Sequence, residues 1–337
     1  MRNSIPKLTI LIVLALVFTG RIGFGRQERL DAADRLEPIT IAVTPWAGSA
    51  AIFIAHEEGY FKKEGLDATL QLHASGNLGL DALVSGKADL AAAGETPLAR
   101  AVLNAKPIAV VATIAKVDRA VLIVARKDRG ISTPGDLKGK KIGVVSGTTA
   151  DFFLHIYLAT SYIDPQEVRI VHIAPHSMVA ALIDGEVDAV STWAPHTIVL
   201  QDELGKEAVV FQDSSIYTMT WNIAAKSETI RKHPDRIRKF LHAVLKANRF
   251  IAENPTRARA IAAKHVGTES PLFEREWKDY TFTAELDQGL ILHLEDQARW
   301  MSGKSAESER TLPNFMEYIY IGALKSLKPE AVRIPGK

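Results

Sequence analysis

One pattern of strand, loop and helix occurs twice in the sequence, and it constrains the fold more than any other feature. Residues 41–53 (IAVTPWAGSAAIF) align with residues 142–154 (IGVVSGTTADFFL), each an apolar strand, a loop of small residues and a helix start. Residues 76–90 align with residues 175–189, each a helix, a glycine, an aspartate and a strand. We therefore predict two α/β lobes built on one plan. The alternative is a chance likeness, because helices are often followed by Gly and Asp.

The first copy of the pattern predicts its secondary structure in detail. The apolar run 39–43 indicates a buried strand, and the helix-forming run 50–58 follows a turn in which Ser49 can cap the helix. Gly59 suits a left-handed helix end. Residues 66–72 alternate apolar and polar side chains, which indicates a half-buried strand.

Two lobes need connections, and the sequence offers two places for them. Apolar strands at 108–113 and 121–124 flank a first crossing, and a second crossing is predicted near 217–224. The chain then becomes helical. One amphipathic helix begins at Pro234, and the apolar residues between 316 and 324 predict another.

The N-terminus has the pattern of an export signal. Arg2 and Lys7 precede an apolar core at 8–18, which is shorter than the roughly 18 residues that a membrane-spanning helix needs. Small residues favour cleavage after Gly25, and residues 26–37 then form a linker. The alternative is an uncleaved N-terminal membrane anchor.

Composition excludes several classes of site. The chain of 337 residues has no cysteine, which excludes a disulfide framework, a thiol nucleophile and cysteine-ligated zinc. The formal net charge of +2 gives no reason to expect nucleic acid as a partner. The length suffices for two lobes that each bury a core.

Two motifs carry a resemblance to a known family. PWAGSAAIFIAHEEGYFKKEGL occupies 45–66, and SGNLGLDALVSGKADLAAAGETP occupies 75–97. Together with later segments, they resemble substrate-binding proteins of ABC importers, in the nitrate/sulfonate/taurine and thiamine-precursor (NMT1/THI5-like) group. The likeness covers nearly everything after residue 37.

This resemblance implies a fold and a role. The fold would be an α/β, two-lobed periplasmic binding protein type II fold with a hinged cleft between the lobes. The role would be a periplasmic monomer that binds a small molecule, needs no cofactor, metal or catalytic residue, and meets the membrane permease of an ABC importer. The predicted division of the chain is a signal peptide (1–25), a linker (26–37), the first part of lobe 1 (38–119), lobe 2 (120–221), and the completion of lobe 1 with C-terminal helices (222–337).

Six loops after predicted strands would face each other across that cleft, where ligands bind in open α/β sheets. None of the six contains Arg or Lys, so a small oxyanion would be held by backbone N–H groups at helix N-termini. The candidate ligand-binding residues in these loops are Thr44, Trp46, Ser49, Ser75, Asn77, Glu95, Thr96, Ser146, Thr148, Thr149, His176, Thr192 and Trp193.

Four side chains of this set lead to specific hypotheses. Trp46 and a second tryptophan, Trp193, could be two aromatic walls around a ligand, or could merely cover strand ends. Asn77 and His176 stand at the starts of equivalent helices, and we expect both to reach the ligand from opposite sides.

The resemblance implies a ligand class but not a ligand. A small oxyanion or a sulfonate such as taurine comes first, and a pyrimidine precursor of thiamine second. Ser49 and Ala194 depart from the residues common in relatives, which often carry an aromatic residue and Glu there. A biosynthetic enzyme on the same fold is the other alternative, although pyrimidine-synthase relatives use a Cys-rich motif that this chain lacks.

Overall fold

The apolar and alternating segments of the sequence form strands that assemble into two sheets. The computed structural model describes residues 36–213, 215–268, 271–303 and 312–335, so the predicted signal peptide and nearly all of the predicted linker lie outside the described residues. The strands are β1 (Glu37–Val43), β2 (Leu66–Leu72), β3 (Leu90–Ala93), β4 (Ile108–Val117), β5 (Val121–Arg126), β6 (Lys141–Val144), β7 (Arg169–His172), β8 (Ala189–Trp193), β9 (Ala208–Phe211), β10 (Met219–Lys226), β11 (Tyr280–Asp287) and β12 (Val332–Arg333).

The order of the strands separates the chain into two groups. Among the described residues, the larger sheet has seven strands in the order β12-β11-β4-β10-β3-β1-β2, and the smaller has five in the order β7-β6-β8-β5-β9. The strands from β5 to β9 therefore belong to the smaller sheet, and the chain returns to the larger sheet at β10.

The α-helices cover the faces of these sheets. They are α1 (Ala50–Glu57), α2 (Tyr60–Lys63), α3 (Gly76–Val84), α4 (Glu95–Leu103), α5 (Thr149–Thr160), α6 (Met178–Ile183), α7 (His196–Leu204), α8 (Ser227–Lys232), α9 (Pro234–Glu253), α10 (Pro255–Val266), α11 (Pro271–Glu276), α12 (Gln288–Gly303) and α13 (Gly322–Leu327). Helix α9 begins at the predicted proline, and its apolar stripe, which includes Phe240 and Leu241, is fully buried. Of the described helices, none has the length and apolar character needed to cross a membrane.

The two sheets share a local plan at residue level. In the larger sheet, β1 pairs with β3 in parallel, and Ile41 lies opposite Leu90. In the smaller sheet, β6 pairs with β8 in parallel, and Ile142 lies opposite Ala189. These are the residues that the sequence alignment equates, so the predicted repeat is a repeat of structure.

Two aligned aspartates hold these parallel pairs together. The backbone N–H of Thr40 donates to Asp89 Oδ2 at 2.8 Å, and the N–H of Lys141 donates to Asp188 Oδ2 at 2.9 Å. Each aspartate N–H also donates back to the carbonyl of the same partner residue, at 2.8 Å in both sheets. The two carboxylates thus join neighbouring strands, each acting across the sheet instead of within its own turn.

The chain passes between the sheets at two places, both close to the predicted crossings. Residues 118–120 connect β4 to β5, and residues 212–218 connect β9 to β10. The hydroxyl of Thr218 in the second crossing donates to Asp118 Oδ1 in the first at 2.7 Å. The two crossings therefore lie side by side and are joined by a hydrogen bond.

The prediction of an amphipathic helix between 316 and 324 is wrong. A 3₁₀ turn at Phe315–Tyr318 is followed by extended residues and by the short helix α13. Ile319 forms an isolated parallel bridge with Val110 of β4, and the N–H of Tyr320 donates to the carbonyl of Val110 at 2.9 Å. Pairing with β4 takes backbone groups that a continuous helix would need.

Glu276, at the end of α11, lies against the helix that packs on the smaller sheet. Its side chain lies near Thr197 of α7 and is mostly shielded from water. Burial, together with the nearby carboxylate of Asp279, raises the pKa of Glu276 from 4.5 to about 7, while Arg119 and Thr197 act against the rise. A charged Glu276 is therefore a cost to the folded protein near neutral pH.

We expect Glu276→Gln to stabilise the protein in a pH-dependent way. Because the folded-state pKa is raised, the stability linked to this group is complete below pH 4.5 and is lost as pH rises through about 7. The variant should match wild type near pH 5 and exceed it by up to about 3 kcal/mol near pH 8.5. Urea denaturation at both pH values measures the difference, and parallel pH profiles would contradict the assignment.

Candidate ligand-binding site

A cavity lies where the parallel strands of the two sheets end. Residues that follow β1 and β3 line it from the larger sheet, and residues that follow β6, with the last residue of β8, line it from the smaller one. Its volume is about 430 Å³, including the part that opens to solvent. The cavity lies at the edge of the sheets where α/β folds bind ligands.

The cavity collects about half of the predicted residues and adds others. From the predicted set, the lining contains Thr44, Trp46, Ser75, Asn77, Thr148, Thr149 and Trp193. The lining also contains Gly76, Gly94, Pro97, Val121, Ala150, Met219 and Trp221.

Three helices begin at this cavity. Their first turns contribute Gly76 of α3, Pro97 of α4 and Thr149 of α5 to the lining. The hydroxyl of Ser75 accepts from the N–H of Leu78 at 3.4 Å and caps α3. A helix N-terminus carries a partial positive charge and free N–H groups, so each of the three favours a negative or electron-rich ligand group.

The lining has no formal charge, since no Asp, Glu, Lys, Arg or His contributes to it among the described residues. Two of its side-chain oxygens are buried without a hydrogen-bond partner: Oγ1 of Thr44 and Oδ1 of Asn77. Their side chains are 4% and 9% exposed. Buried polar atoms cost free energy unless they are paired, and a ligand in the cavity could pair them.

Trp46 forms a rigid wall of the cavity and is part of the core. It is 2% exposed, and its ring lies edge-on to Trp221 at 4.8 Å and against Tyr280 at 5.5 Å. The indole also folds over Gly48, where a Cβ atom would lie 2.0 Å from Trp46 Cζ3. The glycine in the PWAG turn therefore makes room for the tryptophan.

We expect Gly48→Ala to displace the Trp46 ring. The added methyl group would overlap the indole, which should cost about 1–3 kcal/mol of stability through overpacking. Near-ultraviolet circular dichroism and urea denaturation measure the two effects. Gly135→Ala is the control, because the nearest atom to its Cβ would be Thr133 Oγ1 at 3.9 Å. Unchanged tryptophan signals in Gly48→Ala would refute this placement of the ring.

Trp193 is the second tryptophan wall and comes from the smaller sheet. It ends β8, is only partly buried, and lies edge-on to His196 at 5.8 Å. Burial lowers the pKa of His196, which favours the neutral imidazole beside the ring. Both predicted tryptophans thus line the cavity, one from each sheet.

Side chains of the two sheets meet across the cavity. Nδ2 of Asn77, on α3, donates to the carbonyl of Ser146, which follows β6, at 3.4 Å. A Cβ atom on Gly94 would lie 2.6 Å from Oγ1 of Thr149, the first residue of α5. The close approach of Gly94 leaves no room there for a larger residue, so the two sides touch at the cavity.

Sequence comparison identifies the family. The sequence model of the family described as NMT1/THI5 like matches residues 46–258, more than half of the chain. The chain belongs to this family. The taurine-binding periplasmic protein of Escherichia coli is 27% identical over 230 residues, which are 66% of this chain and 70% of that protein.

Two further comparisons widen the picture of the family. The 4-amino-5-hydroxymethyl-2-methylpyrimidine phosphate synthase of Saccharomyces cerevisiae is 24% identical over 221 residues, 61% of this chain and 64% of that protein. The crystal structure of the periplasmic aliphatic sulphonate binding protein SsuA from Escherichia coli matches with a TM-score of 0.71 and 19% identity, covering 84% of this chain and 97% of that one. The fold is therefore the predicted mixed α/β fold of the periplasmic binding proteins.

The predicted residues Glu95 and Thr96 point away from the cavity. Both are fully buried, although Gly94 and Pro97 on either side of them line it. The Glu95 carboxylate accepts from the hydroxyl of Tyr217 at 2.7 Å and from the N–H of Thr220. The hydroxyl of Thr96 donates to Gln297 of α12.

This network anchors the second crossing. Tyr217 lies in that crossing, and its hydroxyl also accepts from Nε2 of Gln297 at 3.1 Å. Burial, together with the Glu95 carboxylate, raises the pKa of Tyr217 and keeps the phenol neutral. His293 of α12 lies 3.5 Å from Glu95, whose carboxylate raises the pKa of the imidazole. Glu95 is thus a buried anchor between the start of α4 and the crossing.

We expect Glu95→Ala to cost about 3–5 kcal/mol, because it leaves the Thr220 N–H and the Tyr217 hydroxyl buried without acceptors. Tyr217→Phe removes one hydroxyl and should cost about 1–2 kcal/mol. The double variant should cost less than the sum, since the two groups share a bond. Chemical denaturation of the four proteins measures the coupling, and strict additivity would argue against the anchor.

Four predicted residues lie outside the cavity lining for other reasons. Ser49 does not cap α1 with its side chain; its hydroxyl accepts from Nε1 of Trp221 at 3.0 Å and so supports a cavity wall. Thr192 is fully buried in β8. Ser146 contributes its carbonyl to Asn77. His176 is exposed in a 3₁₀ turn before α6, away from the cavity.

Three residues of the cavity wall are missing from the set predicted from the sequence. Val121 and Met219 are the first residues of β5 and β10, the strands that follow the two crossings. Trp221 lies two residues further along β10, inside the predicted second crossing, where the sequence makes it only a weaker candidate for the site. The signal was available, since a chain segment that passes between two lobes also passes the cleft between them.

Proposed function

We propose that this protein is an exported solute-binding protein that captures a small oxyanion or sulfonate between two lobes. It then delivers the ligand to the membrane permease of an ABC importer. Lobe 1 comprises residues 38–119 and 222–337, and lobe 2 comprises residues 120–221. The protein acts outside the cytoplasm and changes no bond in its ligand.

One observation carries this proposal: an uncharged cavity lies between two sheets at the start of three helices. Several aligned N–H groups can neutralise a compact anion without a basic side chain. The buried unpaired oxygens of Thr44 and Asn77 indicate that the cavity is built to contact something polar. The names of two similar proteins say that they bind taurine and aliphatic sulfonates, which supports this ligand class.

Closure around the ligand follows from the two crossings. Residues 118–120 and 212–218 are the only covalent links between the strands of the larger and the smaller sheet within 36–213 and 215–226. Rotation about two adjacent, short links is the usual form of hinge closure in binding proteins. Contacts such as Asn77 to Ser146 would form on closing and break on opening.

A neutral pyrimidine precursor of thiamine is the second candidate. Trp46, Trp193 and Trp221 give the cavity flat apolar walls that suit an aromatic ring. The yeast synthase shares the sequence family, which also keeps a biosynthetic enzyme as an alternative.

A ligand screen by thermal unfolding tests the proposal. Ligand at about 100 times its dissociation constant should add about 2.7 kcal/mol of stability and raise the melting temperature by several degrees. The panel contains taurine, alkanesulfonates, nitrate, bicarbonate and a hydroxymethylpyrimidine. Each hit is then checked for chemical conversion, because turnover without stabilisation would favour an enzyme.

Variants of the two tryptophan walls test the location of the site. Trp193→Ala should weaken binding of any hit at least about tenfold and leave the fold intact, because this ring is partly exposed. Trp46 is buried in the core, and truncation to alanine would lower the free energy of unfolding by about 3–5 kcal/mol. The milder variant Trp46→Phe is therefore used at this position. Calorimetric titration measures affinity, and circular dichroism checks folding. Wild-type affinity in both variants would place the ligand elsewhere.

A further inference from the structure

Among the residues that the structure describes, none offers a carboxylate to a ligand in the cavity, although two acidic residues directly follow lining residues. Glu95 comes after Gly94, and its carboxylate is bound by Tyr217 and Thr220 on the side away from the cavity. Asp151 is 4% exposed, and its Oδ2 accepts from the N–H of Gly147 at 2.9 Å. Both acids serve the protein itself and are not part of the lining.

A buried ammonium group would therefore lack a counter-charge in this cavity. Removing an ion from water costs several kcal/mol, which only a close opposite charge with good geometry repays. The N-termini of α3, α4 and α5 add repulsion, because their partial charges are positive. Hydroxyl and amide oxygens such as Thr44 Oγ1 and Asn77 Oδ1 can accept a hydrogen bond, but they carry no formal charge.

The same surroundings favour a ligand with an apolar body. Pro97, Val121 and Met219 line the cavity together with its three tryptophans. Each CH₂ group that a ligand buries against these walls strengthens binding. The lining thus combines two features. Its N–H groups suit one compact negative charge, and its apolar walls suit an alkyl chain or an aryl group.

We infer that the cavity selects amine-free monoanions with an apolar body and discriminates against zwitterions of the same size. This inference rests on the proposed function and narrows its ligand class from sulfonates in general to sulfonates without an ammonium group. The inferred selectivity distinguishes this chain from relatives whose names say that they bind taurine.

Taurine and 1-propanesulfonate form a matched pair for the test. The two have the same sulfonate and chain length, and an ammonium group in one replaces a methyl group in the other. Calorimetric titration of the purified protein near neutral pH should give 1-propanesulfonate an affinity more than about 100-fold higher, since each 1.4 kcal/mol is tenfold.

A charge variant locates the discrimination in the cavity. Asn77→Asp places a carboxylate of nearly the same shape in the lining. It should weaken the binding of both sulfonates, because the new carboxylate repels the sulfonate group. It should also narrow the ratio of their two affinities at least about tenfold, because the carboxylate can pair with the ammonium group of taurine. Asn104→Asp is the control: Asn104 is exposed at the far end of α4 and should leave the ratio unchanged.

The outcomes separate this inference from the proposed function. Taurine binding as tightly as 1-propanesulfonate overturns the inference and leaves the solute-binding role standing. An equal change of the ratio in both variants also overturns it, because the discrimination would not arise at the cavity. If neither sulfonate binds while a neutral pyrimidine does, the anion class fails and the inference fails with it. Circular dichroism of both variants confirms that each is folded before the ratios are compared.

Discussion

The site depends on one repeated interaction, the aspartate that joins the first strand of each parallel pair to the next. Asp89 and Asp188 each accept from the backbone of the neighbouring strand and donate back to it. This fixes the register in which Ile41 meets Leu90 and Ile142 meets Ala189. Parallel strands in fixed register end at the same edge, so the loops that follow them form a wall. The cavity exists because two such walls meet.

Much of the architecture could be predicted because it depends on local signals and on internal repetition. A strand, a turn with proline and glycine, and a helix are each encoded by neighbouring residues, so β1, α1 and α9 follow from the sequence. The repeat adds long-range information, since two copies of one plan imply two sheets. The edge at which loops meet also follows, which is why seven predicted residues line the cavity.

The direction of individual side chains could not be predicted in the same way. Glu95 and Thr96 lie in the correct loop, but their partners Tyr217 and Gln297 are 122 and 201 positions away in the chain. Nothing local separates them from Gly94, which faces the cavity. The helix predicted around Ile319 is wrong for a related reason. Pairing with Val110 overrides the helical spacing of the apolar residues there.

The buried Glu95 links the cavity to the second crossing. The first residue of α4 holds the second crossing, while its neighbour Gly94 touches Thr149 across the cavity. A shift of the start of α4 therefore reaches the crossing without any flexible segment in between. In this arrangement the second crossing is held to the start of α4 by one buried carboxylate and by its neutral phenol partner.

The uncharged lining has a consequence for how a ligand arrives. Formal charges in a cleft create a field that reaches about a Debye length into solution and draws ions of opposite sign toward it. Helix ends act only within about one turn, so this cavity exerts little pull before contact. Entry is then governed by diffusion, and discrimination takes place after encounter, through escape of the ligands that the walls and N–H groups fail to hold.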